Sequence, residues 1–291
     1  MKNINIFCFG FGQVAKSFIK KLIIEKYNIT LTATSRNKSS KENFNGINFN
    51  NYLFDNDKFD NNLLLELKEA NHILVSIPPE KQDDLVVKNF SNFIKSSKVK
   101  WITYLSSTSV YGDHKGEWVN ENSQTKPTSF KGISRLRAEN LWLSLQINKN
   151  LPVQIFRLSG IYSNEKNVLV RLKLGTAKLI SKKDHYFSRI HIEDISNILF
   201  KSLSKFKSGE IYNIADDRPS PSEEITLYGS KLLNIKNLEK IEINNLESEM
   251  LKNFYKDSKK ISNTKTKKYF SYSFKFPTYI EGLNYIRDNF I

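Results

Sequence analysis

The first thirty-six residues constrain the fold more than any other stretch. Residues 4–9 form a short apolar run, and Gly10-Phe11-Gly12-Gln13-Val14-Ala15 follows it directly. Val14, Ala15, Phe18, Ile19, Leu22 and Ile23 then recur at helical spacing, and a second strand-like run over 29–34 ends at Ser35-Arg36. Strand, G-x-G-x-x-A, helix and strand in that order are the dinucleotide-binding fingerprint in its proper context. Gly10 permits the tight turn, Gly12 lets bare backbone approach a pyrophosphate, and Ala15 lets the helix pack closely on the sheet. The helix N-terminus at Gln13 and Val14 offers unpaired N–H groups and partial positive charge to phosphates, with Phe11 beside them.

The end of the second strand speaks to which dinucleotide. An Asp or Glu there bonds the adenosine ribose hydroxyls of NAD, whereas a nearby Arg accommodates the 2′-phosphate of NADP. The segment 34–38 has no acid and two cations, Arg36 and Lys38. NADP is therefore the expected cofactor, chiefly from the missing carboxylate, with NAD the alternative.

Further along, residues 47–54 are strand-capable and close at Asp55. Residues 61–70 read as a helix with Leu63, Leu64 and Leu67 on one face. The apolar run 72–77 is a strand stopped by Pro78-Pro79, residues 83–94 a second helix, and 99–105 another strand. Strands alternating with helices predict an α/β, doubly wound parallel sheet of Rossmann type. Ligands of such sheets collect beyond the carboxyl ends of the strands, where Gly10, Ser35, Arg36, Asp55, Ser76 and Ser107 fall.

Composition narrows the function classes. A chain of 291 residues with 20 Phe and 13 Tyr can bury a substantial core. The net charge of +15 invites a nucleic-acid reading, but the lysines are scattered, and their densest clusters near the C-terminus lack a recognisable nucleic-acid module. No nucleic-acid partner is expected. No apolar run is long enough to span a bilayer, and the N-terminal run reads as a strand, not a signal peptide. Cys8, the single cysteine, is expected to be a small buried hydrophobe. A cytoplasmic protein with no membrane partner fits these features. His72, His114 and His185 show no metal-ligand spacing with one another or with Cys8, so no metal is expected.

The run Leu105-Ser106-Ser107-Thr108-Ser109-Val110-Tyr111-Gly112-Asp113, followed by Pro127-Thr128-Ser129, Gly132 and Ala138-Glu139, resembles the extended short-chain dehydrogenase/reductase superfamily of nucleotide-sugar epimerases and dehydratases. The segments 156–162, 189–195 and 211–217 extend the resemblance. The tail, with Ser262-Asn263, Pro277-Thr278-Tyr279 and Glu281-Gly282-Leu283, resembles one atypical branch, the YeeZ-like proteins, as do the G-x-G-x-x-A opening and Ser76-Ile77-Pro78-Pro79. The resemblance thus covers almost the whole chain. It implies a small hydroxylated substrate, a nucleotide sugar among the options, and allows a homodimer.

The departure from the family matters as much as the match. Ordinary members carry Tyr-x-x-x-Lys, in which Tyr is the acid/base and Lys lowers its pKa and holds the ribose. Aligned on Pro127, Gly132, Ser134 and Glu139, this chain has Lys131 at the Tyr position and Arg135 at the Lys position. The resemblance therefore implies a catalytic set of Ser107, Lys131 and Arg135, with Arg135 also holding cofactor ribose. Lys131 can act as a base only where burial and the neighbouring cation strip its proton near neutral pH. The other reading is a protein that keeps the fold and binds NADP(H) as a non-catalytic sensor. His191 is expected to be structural, and Arg189 and Arg218 fall where the resemblance puts diphosphate contacts of a sugar nucleotide.

The resemblance also implies two domains: 1–162 plus 189–215 binding NAD(P), and 163–188 plus 216–291, a smaller C-terminal α/β domain, binding substrate. Within the second, 167–174 can form a helix ending at Gly175, and Ser222-Glu223-Glu224 starts another that runs to about Leu233.

Overall fold

The computed structural model describes residues 2–80 and 83–291. Strand β1 (Asn3–Phe9) leads through Gly10–Gly12 into α1 (Gln13–Ile24), and β2 (Asn28–Ser35) returns parallel to β1, with Ile6 opposite Leu31. Ile6, Phe7, Cys8 and Phe9 are all buried, so both faces of β1 are covered, as an interior parallel strand requires. Burial pushes the Cys8 thiol up to about 12, which fits a packing role. Helix α1 lays Val14, Ala15, Phe18, Ile19 and Leu22 inward, the stripe its spacing predicts.

Next comes a hairpin, β3 (Ser40–Phe44) and β4 (Ile47–Asp55), paired antiparallel. Its two-residue turn is Asn45-Gly46, with φ of 49° and 85°, the left-handed pair that matches strand twist in tight hairpins. After β5 (Lys58–Phe59) and α2 (Leu63–Glu69), β6 (His72–Val75) lies on the other side of β1. Helix α3 (Leu85–Lys95) is capped by buried Asp84, whose carboxylate accepts the N–H groups of Val86 at 3.1 Å and Val87 at 3.0 Å. Strand β7 (Trp101–Ser107), short β8 (Trp118–Val119) and the long α4 (Phe130–Lys149) follow. The remaining elements are β9 (Val153–Leu158), β10 (Gly160–Tyr162), α5 (Val168–Lys173), β11 (Arg189–His191), α6 (Ile192–Ser202) and β12 (Ile211–Ile214). The chain closes with α7 (Ser222–Leu232), α8 (Glu249–Lys256), β13 (Lys260–Ile261), α9 (Thr264–Phe270) and α10 (Tyr279–Phe290).

The main sheet runs β12-β9-β7-β6-β1-β2-β4-β3, with β5 on β4. The chain leaves β1 toward β2 and later crosses back to β6, so the order reverses at β1. A doubly wound sheet binds its ligands at such a point. The architecture is the mostly parallel α/β sheet expected.

The chain divides into two compact units, 1–107 with 133–157 and 195–212, and 108–132 with 158–194 and 213–291. The first is shorter than the 1–162 plus 189–215 expected. Its core is built on aromatics, with Phe90 stacked 5.3 Å from Phe9 and edge-on to Phe54 at 5.0 Å. Beneath the sheet lies a buried ion pair. Arg157 Nε donates to both oxygens of Glu139 at 3.0 and 3.1 Å, its Nη2 donates to Oε2 at 2.7 Å, and Ser106 Oγ donates to Oε1 at 2.5 Å. The second unit packs α5, α7 and α10 through Leu169, Ile225, Tyr279, Leu283 and Ile286. Buried Asp194 accepts the hydroxyl of Tyr272 and the N–H groups of Lys275 and Phe276, which ties the C-terminal segment to the start of α6.

Candidate functional site

The carboxyl end of β1 opens on a crevice of about 520 Å³ lined by Gly10, Phe11, Gly12, Ser35, Arg36, Asp55 and Ser76. Of the predicted cofactor residues these seven come together. Val14 and Ala15 are buried in the packing of α1, and Gln13 is exposed at its start. Thr34, Asn37, Asn56, Ile77 and Glu80 join the lining. Their signal in the sequence was only that each lies at or just past the end of a strand.

Two glycines shape this crevice differently. Gly10 has φ of 85°, and a Cβ there would meet Ile77 Cγ2 at 2.7 Å and Ser76 Oγ at 2.9 Å. Its N–H donates to Thr34 Oγ1 at 3.0 Å, and its carbonyl accepts from Ser76 Oγ at 3.0 Å, so the turn is pinned from both sides. Gly12 is in extended backbone, and a Cβ there would meet nothing within 4 Å. The fold leaves open space in front of Gly12, at the N-terminus of a 12-residue helix that has no side-chain cap and no acid in its first turn. That is the cradle a pyrophosphate needs, and the residues present fit a dinucleotide.

At the end of β2, the Ser35 hydroxyl accepts the amide of Asn51 and the N–H of Asn37, both at 3.3 Å. Arg36 is exposed, and no acid lies within ion-pair distance of it among the described residues. Asp55 and Glu80 also line the crevice, so among the described residues its lining carries one cation and two carboxylates.

The three residues aligned with the family's catalytic set differ in setting. Ser107 is half-buried at the end of β7. Arg135 is half-buried in α4, and its Nη1 donates to the carbonyl of Leu105 at 2.6 Å and to Tyr104 Oη at 3.2 Å. It is therefore anchored to β7 by the chain itself, a role the sequence did not announce. Lys131, one turn earlier in α4, is exposed.

The second unit has its own cavity, about 420 Å³, walled by Phe187, Arg189, Val168, Ile225, Tyr279 and Leu283 among others. Arg218 does not line it and pairs with Glu224 at 2.7 Å. His191 is buried, its Nδ1 accepts the N–H of Glu193 at 3.3 Å, and burial pushes its imidazole down to about 4. Among the described residues no group of three or more His, Cys, Asp or Glu is placed to hold a metal ion, and no helix is long and apolar enough to cross a membrane.

None of the curated proteins matches the sequence. Among solved structures, a conserved protein of unknown function from Silicibacter pomeroyi is 27% identical, with 99% of each chain covered and a TM-score of 0.86. UDP-glucuronic acid 4-epimerase from Bacillus cereus, solved with NAD, is 16% identical over 99% of this chain and 96% of its own, at a TM-score of 0.77. dTDP-glucose 4,6-dehydratase from Bacillus anthracis, also in complex with NAD, is 21% identical over 99% and 96%, at 0.76. Residues 85–215 match the model of the NAD dependent epimerase/dehydratase family, so that over this stretch the chain carries that family's sequence signature, on the fold its epimerases and dehydratases share.

Proposed function

We propose that this protein binds NADP(H) at the crevice beyond β1 and is an oxidoreductase or epimerase acting on a small hydroxylated substrate. A nucleotide sugar is the substrate class of the solved neighbours. The observation that carries the reading is the open cradle in front of Gly12 at the uncapped start of α1. Bound there, the cofactor would supply hydride transfer, and the chain's part is to seat and orient it. NADP over NAD rests on Ser35-Arg36 in place of an acid, although the solved neighbours hold NAD. If Arg36 meets the 2′-phosphate, NADPH binds about tenfold or more tightly than NADH, since charge-assisted contacts contribute roughly 1.5–3 kcal/mol. Arg36→Ala should then shrink the difference in a fluorescence titration. Equal affinities in the unaltered protein would remove the NADP assignment.

A second reading, a non-catalytic NADP(H)-sensing protein that has lost the catalytic Tyr, is favoured by two observations. Lys131 stands exposed where the family has its acid/base Tyr, and Arg135 spends Nη1 on Leu105 and Tyr104. A lysine base depends on burial, which here the bound cofactor and substrate must supply. Lys131→Met separates the readings. An enzyme loses turnover in a hydride-transfer screen of small hydroxylated substrates, sugar nucleotides and hydroxy acids among them, whereas a sensor keeps its NADPH affinity and turns over nothing in either form.

A further inference from the structure

The cavity of the second unit is walled by a cation that no carboxylate contacts. Arg189 is half-buried there, with Nη1 donating to the carbonyls of Phe187 at 2.8 Å and Ser220 at 3.0 Å, and Nη2 to Ser222 Oγ at 3.2 Å. Among the described residues no acid lies within ion-pair distance of it. Burial pushes its guanidinium down to about 10 against the pull of Asp216, and burial also holds the Asp216 carboxyl well above the usual range. Two exposed cations, Lys166 and Arg171, stand on the same lining against one acid, Glu165. An anionic group is what this wall lacks.

The cavity's other polar side chains are already engaged. Asn167 caps α5, accepting the N–H of Val170 at 3.1 Å and donating to the carbonyls of Ser163 at 2.8 Å and Asn164 at 3.0 Å. Thr226 Oγ1 donates to the Ser222 carbonyl at 2.9 Å, and Tyr279 Oη to Glu224 at 2.6 Å. The Tyr162 hydroxyl has no hydrogen-bond partner among the described residues, but it is itself buried against Gly282 and offers nothing to the cavity. The rest of the wall is hydrocarbon and aromatic, including Ile161, Val168, Val170, Phe187, Ile225 and Leu283. A nucleobase brings several donors and acceptors, and each one buried without a partner weakens binding. A carboxylate brings one charge that a guanidinium matches edge to edge.

We propose that this cavity takes a small carboxylate with an apolar body, its head beside Arg189 and Arg171 and its body on the apolar wall, in preference to a nucleotide sugar. The inference rests on the proposed function, takes this cavity as the place its substrate enters, and narrows the small hydroxylated substrate to a hydroxy acid.

Calorimetric titration of the full chain, without nicotinamide cofactor, tests it with three probes: 4-phenylbutyrate, the matching alcohol 4-phenylbutanol, and UDP-glucose. The carboxylate should bind about tenfold or more tightly than the alcohol, and more tightly than UDP-glucose. Val170→Trp, which fills the cavity from a half-buried position on α5, should remove this binding, and Arg171→Ala, at an exposed site, should weaken it severalfold, both with unchanged circular dichroism. Tighter binding of UDP-glucose, equal binding of acid and alcohol, no binding of the acid, or full affinity in a folded Val170→Trp protein would each overturn the proposal. Because cofactor is absent from the titration, failure here leaves dinucleotide binding standing, and failure of dinucleotide binding leaves this result unaffected.

Discussion

A Gly12→Val protein is expected to fold normally and to lose dinucleotide binding by about a hundredfold or more. The two halves of that result have separate causes. A Cβ at Gly12 meets no atom within 4 Å, and the backbone there is extended, so the fold has room for the side chain. The same room is where a pyrophosphate would lie against bare backbone, and side-chain carbons there remove the close approach. A hundredfold corresponds to about 2.7 kcal/mol. Gly10 would be a poor choice for the experiment, since its φ of 85° and its contacts with Ser76 and Ile77 mean that any side chain disturbs the turn itself. Circular dichroism and a cofactor titration on the same Gly12→Val sample check both halves. Unchanged affinity in the folded variant removes the foundation of the cofactor assignment.

The largest stability effect is expected at Glu139. It is 1% exposed and Arg157 is 4% exposed, and the two are joined by three N–H···O bonds, with Ser106 as a further donor. Glu139→Ala leaves a guanidinium buried without its counter-charge, which costs about 3–5 kcal/mol in comparable cases. Removing both charges, as Glu139→Met with Arg157→Met, should cost less than the single change, because no unpaired charge then remains. Urea denaturation of the single and double variants gives the comparison. A single variant as stable as the unaltered protein, or a double variant less stable than Glu139→Ala, would contradict this account.

How much of this was legible beforehand depends on whether a feature is local in the chain. The β1–α1–β2 unit was, because apolar spacing and the G-x-G-x-x-A turn are local, and Gly10, Gly12, Ser35, Arg36, Asp55 and Ser76 do line one crevice. The hairpin of β3 and β4 was half read. Residues 47–54 were expected as strand, but β3 was not, although Asn45-Gly46 is the strongest short hairpin signal a sequence carries. Its polar residues Ser40, Lys41, Glu42 and Asn43 hid it, since a strand with no buried face shows no alternation. The anchoring of Arg135 to Leu105 and the Glu139–Arg157 pair were not legible at all. Both join residues brought together only by the sheet, and the motif that placed Arg135 opposite a family lysine says nothing of which carbonyl it reaches.

The way the C-terminal segment is tied down has a consequence for how the chain comes off the ribosome. The first unit's last residue is Tyr212, so its sequence is complete while residues 213–291 have still to be made. At about 5–20 residues per second, it has several seconds in which to fold while the rest is still being made. The second unit cannot close in that interval. Its core includes Tyr279, Leu283 and Ile286, and Asp194 must wait for Tyr272, Lys275 and Phe276 before its buried carboxylate has partners. A nascent chain stalled before Tyr272 would therefore have the crevice beyond β1 complete and a second unit still lacking part of its core. Termination before Tyr272 would leave the Asp194 carboxylate without these three partners.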